Sequence, residues 1–375
     1  MRKKQVLALL GTAALVCSLA GCKGKVPEET TKTESNAGTR TKEEAEEKNN
    51  ASGDPVKVGI ILSTGGLGDK NFNDMSYAGL LRAQEDFGIE FDYVEPKSVS
   101  DFLPNFQMFA ETEEYDLIIG LAQDQTDAVL EISEAFPEQK ITHIDAQTDA
   151  PNVRSIVTKW QEQTFLTGVI AGLCTKDYGL PYSNEDNVVG CILGVEAANL
   201  KEGVVGFEAG VRYVNPDCQV LTATVGSFAD PGKGKEIALS MYNKGADFIQ
   251  HIAGSSGLGV FNAAKESGRY AFGVGGNQND NEPDYIPATA LRNVDEMVYK
   301  EVEAVVNNTW EPGIYISGIK EGAVGYDIAN SNVELGPEVL EIVEEIKGRI
   351  ISGELVPCNT EEELDAWVAE NQYFK

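Results

Sequence analysis

The apolar run Val58-Gly59-Ile60-Ile61-Leu62 passes straight into Ser63-Thr64-Gly65-Gly66-Leu67-Gly68-Asp69-Lys70-Asn71-Phe72-Asn73-Asp74. Five consecutive apolar residues without polar alternation describe a strand buried on both faces, the habit of a parallel sheet covered by helices. The glycine-rich turn that follows stands at the carboxyl end of that strand, where open α/β sheets bind their ligands. Apolar residues then return at helical spacing (Phe72, Met75, Ala78, Gly79, Leu80, Ala83), so a helix is expected over 71–87.

The same alternation continues outward. Strands are expected at Phe91–Val94, Asp116–Gly120 and Lys140–Asp145, with helices at Ser100–Glu111 and Asp124–Phe136 between them. A second series starts near Trp160. The helix Thr164–Cys174 (TFLTGVIAGLC) carries small residues on one face, suited to close packing. Strands follow at Asn187–Leu193, Gln219–Val225, Ala246–Ala253 and Tyr270–Val274, separated by helices at Leu200–Tyr213, Lys233–Lys244 and Gly259–Ser267. Leu291–Asn307 reads as a long helix returning to the first series, and the tail from Ile314 supplies a strand and the helix Pro337–Ser352. The fold class expected is α/β, with two doubly wound parallel-sheet lobes joined by a hinge. Lobe one is assigned to 55–158 plus 289–320 and lobe two to 160–287 plus 322–375. Five strand-end turns, two from lobe one and three from lobe two, can then meet across one cleft.

The N-terminus sets the compartment. MRKK precedes the apolar stretch Gln5–Leu19, too short for an ordinary membrane span, which ends in Leu19-Ala20-Gly21-Cys22. This is a lipobox, predicting a signal peptide over 1–21 and acyl chains (palmitate among them) on Cys22, which anchor the protein to the extracytoplasmic face of the cell membrane. Residues 22–54 lack aromatics and cannot offset their ordering entropy by burial, so they read as a polar tether. Roughly 320 residues remain, enough for two lobes. The formal charge is −30, about −33 once Arg2, Lys3 and Lys4 leave with the leader, which argues against nucleic acid as a partner. Cys174, Cys191, Cys218 and Cys358 have no CxxC spacing, so no metal site is expected, and core packing is favoured over disulfides.

The turns exclude several chemistries. Gly65–Asp69 lacks the Lys-Ser/Thr ending of a Walker loop and the GxGxxG spacing, so no nucleotide cofactor is expected. His143 and His251 sit within apolar strand patterns and suit the core better than general-base work. There is no GxSxG or HExxH, and no enzyme is read here. A site for a neutral polar ring fits better. Phe72 and Phe228 stand at strand-to-helix turns, where a ring can stack on a flat ligand. Asp69, Asn73 and Asp145 offer donors or acceptors, and glycines at 65, 66, 68, 254 and 257 admit close backbone approach. Each has a plainer alternative: Phe72 can face the core, and Asp69 can cap the helix that begins near Asn71.

Taken together, GGLGDKNFND, DLIIG, FLTGVIAGL, GFEAGVRYVNP, VGSFADPGKGKEIA, NKGADFIQHIAGSSGLGV and GVGGNQ resemble the basic membrane protein family of bacterial lipoproteins, the purine nucleoside receptor group. The resemblance runs from Val56 to about Tyr326. It implies a periplasmic-binding-protein-like fold of type I and the role of a substrate-binding protein of an ABC transporter. Expected partners are a small-molecule ligand, an ABC permease and the membrane through the lipid anchor, and a monomer is expected. It places Asp69 and Asn73 on the ligand, Phe72 and Phe228 as stacking rings, Asp145 at the end of its strand, and Gly257 where the ligand's edge enters. Two positions depart from the family. Its usual turn G-V-D-x-D-Q reads Gly273-Val274-Gly275-Gly276-Asn277-Gln278 here, so Gly275 stands where a ribose-gripping carboxylate belongs, with Asn277 in the same turn. Arg292 replaces the family's lysine, keeping its charge but not its shape. The ligand expected is a nucleoside, purine favoured. A sugar or carboxylate ligand in the same fold, or a surface enzyme or adhesin borrowing it, are the alternatives.

Overall fold

The computed structural model describes residues 54–69, 71–176 and 179–374. The leader, Cys22 and nearly all of the tether lie outside the described residues. The first half of the chain lays down β1 (Lys57–Ile61), β2 (Glu90–Val94), β3 (Leu117–Leu121), β4 (Ile141–Ile144) and β5 (Val153–Thr158). A second set follows as β6 (Val188–Leu193), β7 (Gln219–Thr224), β8 (Ala246–Ile252), β9 (Tyr270–Gly275) and β10 (Thr289–Arg292). The chain then returns with β11 (Gly313–Ser317) to the first sheet and β12 (Val324–Asp327) to the second. The orders are β11-β5-β4-β3-β1-β2 and β12-β10-β9-β8-β6-β7, parallel throughout except for β12 against β10. This is the α/β two-lobe architecture that the strand patterns predict.

In each sheet the winding reverses beside the first strand, between β1 and β3 and between β6 and β8, which opens a crevice at the carboxyl ends. The register levels those ends. Ile61 stands opposite Gly120 and Leu121 opposite Ile144, so the turns after β1, β3 and β4 share one rim. Leu193 pairs with both Thr224 and Ile252, giving lobe two a matching rim.

Helices cover both faces: α1 (Phe72–Phe87), α2 (Phe102–Glu111) and α3 (Thr126–Ala135), then α4 (Trp160–Cys174), α5 (Ala198–Val214), α6 (Pro231–Tyr242) and α7 (Gly257–Ser267). After these come α8 (Val294–Val306), α9 (Pro337–Ser352) and α10 (Glu361–Glu370). The small-residue face read in TFLTGVIAGLC packs as expected. A Cβ at Gly206 on α5 would lie 2.1 Å from the carbonyl oxygen of Gln161 on α4, and one at Gly210 would lie 2.1 Å from that of Phe165. The two helices meet backbone to backbone, around a core that includes Phe165, Phe207 and Tyr213.

The chain passes between the sheets three times: at 158–160, at 292–294 and over 317–324. The passages are tied together. Lys159 N–H donates to the Ser317 carbonyl at 2.9 Å and Asn293 N–H to that of Ala323 at 2.8 Å. The buried Glu162 accepts from Lys159 Nζ at 2.8 Å and from Ile319 N–H at 2.8 Å.

Four elements differ from the sequence reading, one of them β12, since the tail from Ile314 reads as a single strand before the helix. Residues 289–292, assigned to lobe one as the approach to a helix from Leu291, form β10 in the second sheet, and α8 begins only at Val294. Strand β5 was hidden because Arg154 and Ser155 interrupt its apolar run. Arg154 lies 3.0 Å from the buried Glu301 and under the Tyr315 ring, and Ser155 bonds Thr148. Helix α10 has so acidic a first turn that its buried Leu364 and Val368 do not stand out. Among the described residues no helix is long and apolar enough to cross a membrane.

The α4–α5 contact gives a direct test. Gly206→Ala forces a methyl group into a carbonyl oxygen of a well-packed partner, and such overpacking costs about 1–3 kcal/mol. Urea unfolding should show that loss, whereas Gly348→Ala, with open space at its Cβ, should be neutral or slightly stabilising.

Candidate functional site

The turn after β1 is built by its own hydrogen bonds. The exposed Asp69 carboxylate accepts from the backbone N–H groups of Asn71 at 2.9 Å, Asn73 at 2.9 Å and Asp74 at 3.2 Å, satisfying donors at the start of α1. The capping role offered as its plainer alternative is what its contacts display. Asn73 lies fully buried beneath the turn. Its Oδ1 accepts from Ser63 N–H at 2.9 Å and Ser63 Oγ at 3.1 Å, while its Nδ2 has no hydrogen-bond partner among the described residues.

Where the lobes meet, three of the expected residues come together. Arg292, ending β10 in lobe two, places Nη1 2.6 Å from Oδ2 of Asp145, which follows β4 in lobe one. The guanidinium carbon sits 4.9 Å from the centre of the Phe72 ring and 4.6 Å from that of Trp160. Only 12% of the Arg292 side chain and 8% of the Asp145 side chain reach solvent. A planar, weakly hydrated guanidinium suits a slot between two rings, and its in-plane edge stays available for hydrogen bonds. Asp145 is held at φ 61°, a left-handed backbone that aspartate tolerates better than most residues. Its Oδ1, and Nε of Arg292, are buried without a hydrogen-bond partner among the described residues.

A second contact crosses the seam beside the first. Gly275 has φ 89°, and a Cβ there would lie 2.3 Å from Oδ1 of Asn71. Gly276 N–H donates to that oxygen at 3.3 Å. The position that lacks the family's carboxylate is thus covered by an amide from the opposite lobe. Neither Asn71 nor Trp160 was singled out from sequence. Asn71 sat unremarked in a polar turn, and Trp160 marked only the start of the second series.

The remaining expected residues belong to lobe two alone. Phe228 is 46% exposed, and a Cβ on Gly194 would come 2.4 Å from its Cδ1, so its ring lies over the end of β6. Its loop is fixed by Ser256, which donates from N–H to the Phe228 carbonyl at 3.0 Å and from Oγ to that of Ser227 at 2.8 Å. Gly257 is buried, and a Cβ there would lie 2.2 Å from the His251 ring, so core packing alone already requires glycine at this position. Asn277 is likewise engaged internally: Nδ2 donates to Asp327 Oδ2 at 2.7 Å and the Ala329 carbonyl at 3.0 Å, and Oδ1 accepts from Asn279 N–H at 2.9 Å.

Both histidines are core residues. His143 Nε2 donates to the Ala122 carbonyl at 2.8 Å, leaving Nδ1 to accept from Thr148 Oγ1 at 2.8 Å. His251 Nε2 donates to Gln278 Oε1 at 3.1 Å. Burial pushes each down to about 4, so both stay neutral at pH 7. Among the described residues no group of three or more His, Cys, Asp or Glu side chains is placed to hold a metal ion. A cavity of about 540 Å³ opens between α8 and the edge strand β11, and none of the nine expected ligand residues lines it.

The chain matches the family model described as "ABC transporter substrate-binding protein PnrA-like" over residues 56–359. An uncharacterized lipoprotein of Pyrococcus abyssi is 30% identical over 414 aligned positions, covering 99% of this chain and 96% of that one. Basic membrane protein A1 of Borrelia garinii is 30% identical over 323 positions, covering 84% of this chain and 91% of its own. The crystal structure of an ABC transporter solute-binding protein from Aeropyrum pernix K1 superposes with a TM-score of 0.70 at 26% identity, covering 85% of this chain and 100% of that one.

Two outcomes follow from the seam and the core. Removing one partner of a buried pair leaves an uncompensated charge at a cost of about 3–5 kcal/mol. Asp145→Ala should therefore part the lobes to hydrate Arg292, raising the radius of gyration in small-angle scattering, and adding Arg292→Met should restore the compact form. For the histidines, a folded pKa near 4 against about 6.5 unfolded means the unfolded chain binds more protons between those values. Stability contributed above pH 6.5 is lost as pH falls, by about 2 kcal/mol per histidine at pH 5. His143→Gln should flatten the fall in stability between pH 7 and pH 5 by that amount.

Proposed function

The chain belongs to the PnrA-like family of ABC transporter substrate-binding proteins, and from that premise we propose that it is a lipid-anchored extracytoplasmic receptor for a nucleoside, purine favoured. It captures the ligand between its lobes and presents the closed form to a membrane permease. The observation that carries this reading is the seam itself. Phe72, Asp145 and Arg292, three of the residues expected at the ligand site, converge from both lobes with Trp160 on one buried spot. A flat ring has aromatic faces to lie against there, and its polar edge meets one cation and one carboxylate. The lipobox Leu19-Ala20-Gly21-Cys22 supports the anchor, as does the name of the Pyrococcus relative. With Gly275 in place of a carboxylate, the sugar hydroxyls must be held by other groups.

Thermal-shift screening of the purified receptor tests this reading. At a hundred times Kd a ligand stabilises its receptor by about 2.7 kcal/mol. Purine nucleosides should raise Tm by several degrees and be recovered unchanged, while hexoses and small carboxylates should not shift it. Phe72→Ala should weaken binding about tenfold or more through the lost stacking face. Stabilisation by a sugar or a carboxylate, with no response to any nucleoside, overturns the assignment.

A further inference from the structure

The cavity of about 540 Å³ beside α8 is a hollow separate from the seam. Three parts of the chain wall it: β5 with Arg154 and Ile156, α8 with Met297, Lys300 and Glu301, and the stretch 315–323, which leaves β11 for the second sheet. Its volume lies within the range of small-molecule sites, about 300–1,000 Å³. Ile156, Met297, Tyr315 and Ala323 give it an apolar wall that continues into the lobe-one core.

The charged groups around that wall are unequally committed. Its three carboxylates all have partners. Glu296 accepts from Arg82 at 2.7 Å, and Lys300 approaches it to 3.4 Å. Glu321 accepts from Gly318 N–H at 2.8 Å. The buried Glu301 accepts from Thr142 Oγ1 at 3.0 Å and lies 3.0 Å from Nε of Arg154. The cations are less engaged. Arg154 holds its guanidinium carbon 3.9 Å from the centre of the Tyr315 ring, and its Nε is buried without a well-directed hydrogen bond. Its two terminal nitrogens make no hydrogen bond among the described residues. Burial pushes the Glu301 carboxyl up to about 7 against the pull of Arg154, so near neutral pH the guanidinium is only partly compensated. The exposed Lys320 makes no ion pair or hydrogen bond among the described residues. In a chain of formal charge −30, a hollow with its carboxylates taken and two cations open is set up for a negative guest.

We propose that this hollow is a second binding site, taking a small molecule with an apolar body and one anionic group, a carboxylate or a phosphate monoester. The anionic group sits on the open edge of the Arg154 guanidinium, whose paired nitrogens match two oxygens of either group. The body lies along Ile156 and Met297, the latter a side chain that adapts to irregular shapes. None of the nine residues expected at the ligand site lines the hollow, so it fills without entering the seam and does not depend on the nucleoside reading.

Benzoate and phenyl phosphate probe the two anion classes, and benzamide keeps the shape of benzoate without its charge. Isothermal titration of the unmodified protein should show one or both anions binding at a single site, about tenfold or more tighter than benzamide, since hydrogen bonds to charged groups are the stronger kind. The tighter of the two anions identifies the class. Arg154→Lys keeps a cation beside Glu301 but loses the paired nitrogens, and should weaken the anion about tenfold. Arg154→Met combined with Glu301→Gln removes both members of the pair, leaves no charge buried alone and should abolish anion binding, with circular dichroism reporting that the fold is kept. The seam is the competing location, because Arg292 is also a cation. Phe72→Ala should therefore leave the anion's affinity unchanged within about twofold. Three results overturn the proposal: neither anion binding more tightly than benzamide, anion binding that survives in the folded double variant, or loss of it in Phe72→Ala. None of them bears on whether nucleosides bind between the lobes.

Discussion

The seam depends on a buried charge pair. Arg292 and Asp145 come from different sheets, and each is nearly sealed from water. Neither charge could be buried alone, so each lobe supplies what the other's exposed rim lacks. The aromatic walls sharpen the constraint. Phe72 opens α1 and Trp160 opens α4, so the guanidinium lies 4.9 and 4.6 Å from rings on the first turns of two helices in different lobes. The three chain passages at 158–160, 292–294 and 317–324 are what make the arrangement repeatable. Trp160 and Arg292 each sit at the end of an element adjoining a passage, so a rotation of the lobes about these segments changes the slot directly.

This placement also explains why a strongly acidic chain can keep a cation in its cleft. At a formal charge of −30, an exposed arginine would find many carboxylate partners. Arg292 has one close partner, fixed by a left-handed backbone at the end of β4. Its Nε stays without a hydrogen-bond partner among the described residues, and an anion competing for the guanidinium would have to displace Asp145 first.

Much of the fold was legible because parallel strands buried on both faces write uninterrupted apolar runs: VGIIL, DLIIG and NVVGCIL need no tertiary information. What was not legible lay where tertiary contacts override the local pattern. Strand β5 carries Arg154, which local sequence marks as surface, yet Glu301 and Tyr315 give it a place inside. Strand β10 is four residues long and runs into α8, so its apolar residues read as the start of the helix. The site shows the same division. Phe72, Asp145 and Arg292 were readable from motifs, and they meet. Gly257 stands out as a glycine in a strand-end turn, but the His251 ring packed behind it is a tertiary contact that the local sequence does not show. Asn71 carries no motif, because its significance depends on a glycine 204 positions away, and only folding brings the two together.

Asp69 and Asp145 illustrate how the same side chain acquires opposite roles. Both stand in turns at the carboxyl ends of lobe-one strands, and sequence gave each the same polar role. Asp69 is followed by a helix start, whose unpaired N–H groups lie within reach of a carboxylate two to five residues back; three of them bond it. Asp145 is followed by no such helix. Its chain turns through a left-handed residue and runs on to β5, so no helix start competes for its side chain. One oxygen is then taken by a cation from the other lobe, and the second stays open. Available backbone donors, not the identity of the acid, decide how far each carboxylate is committed within the fold.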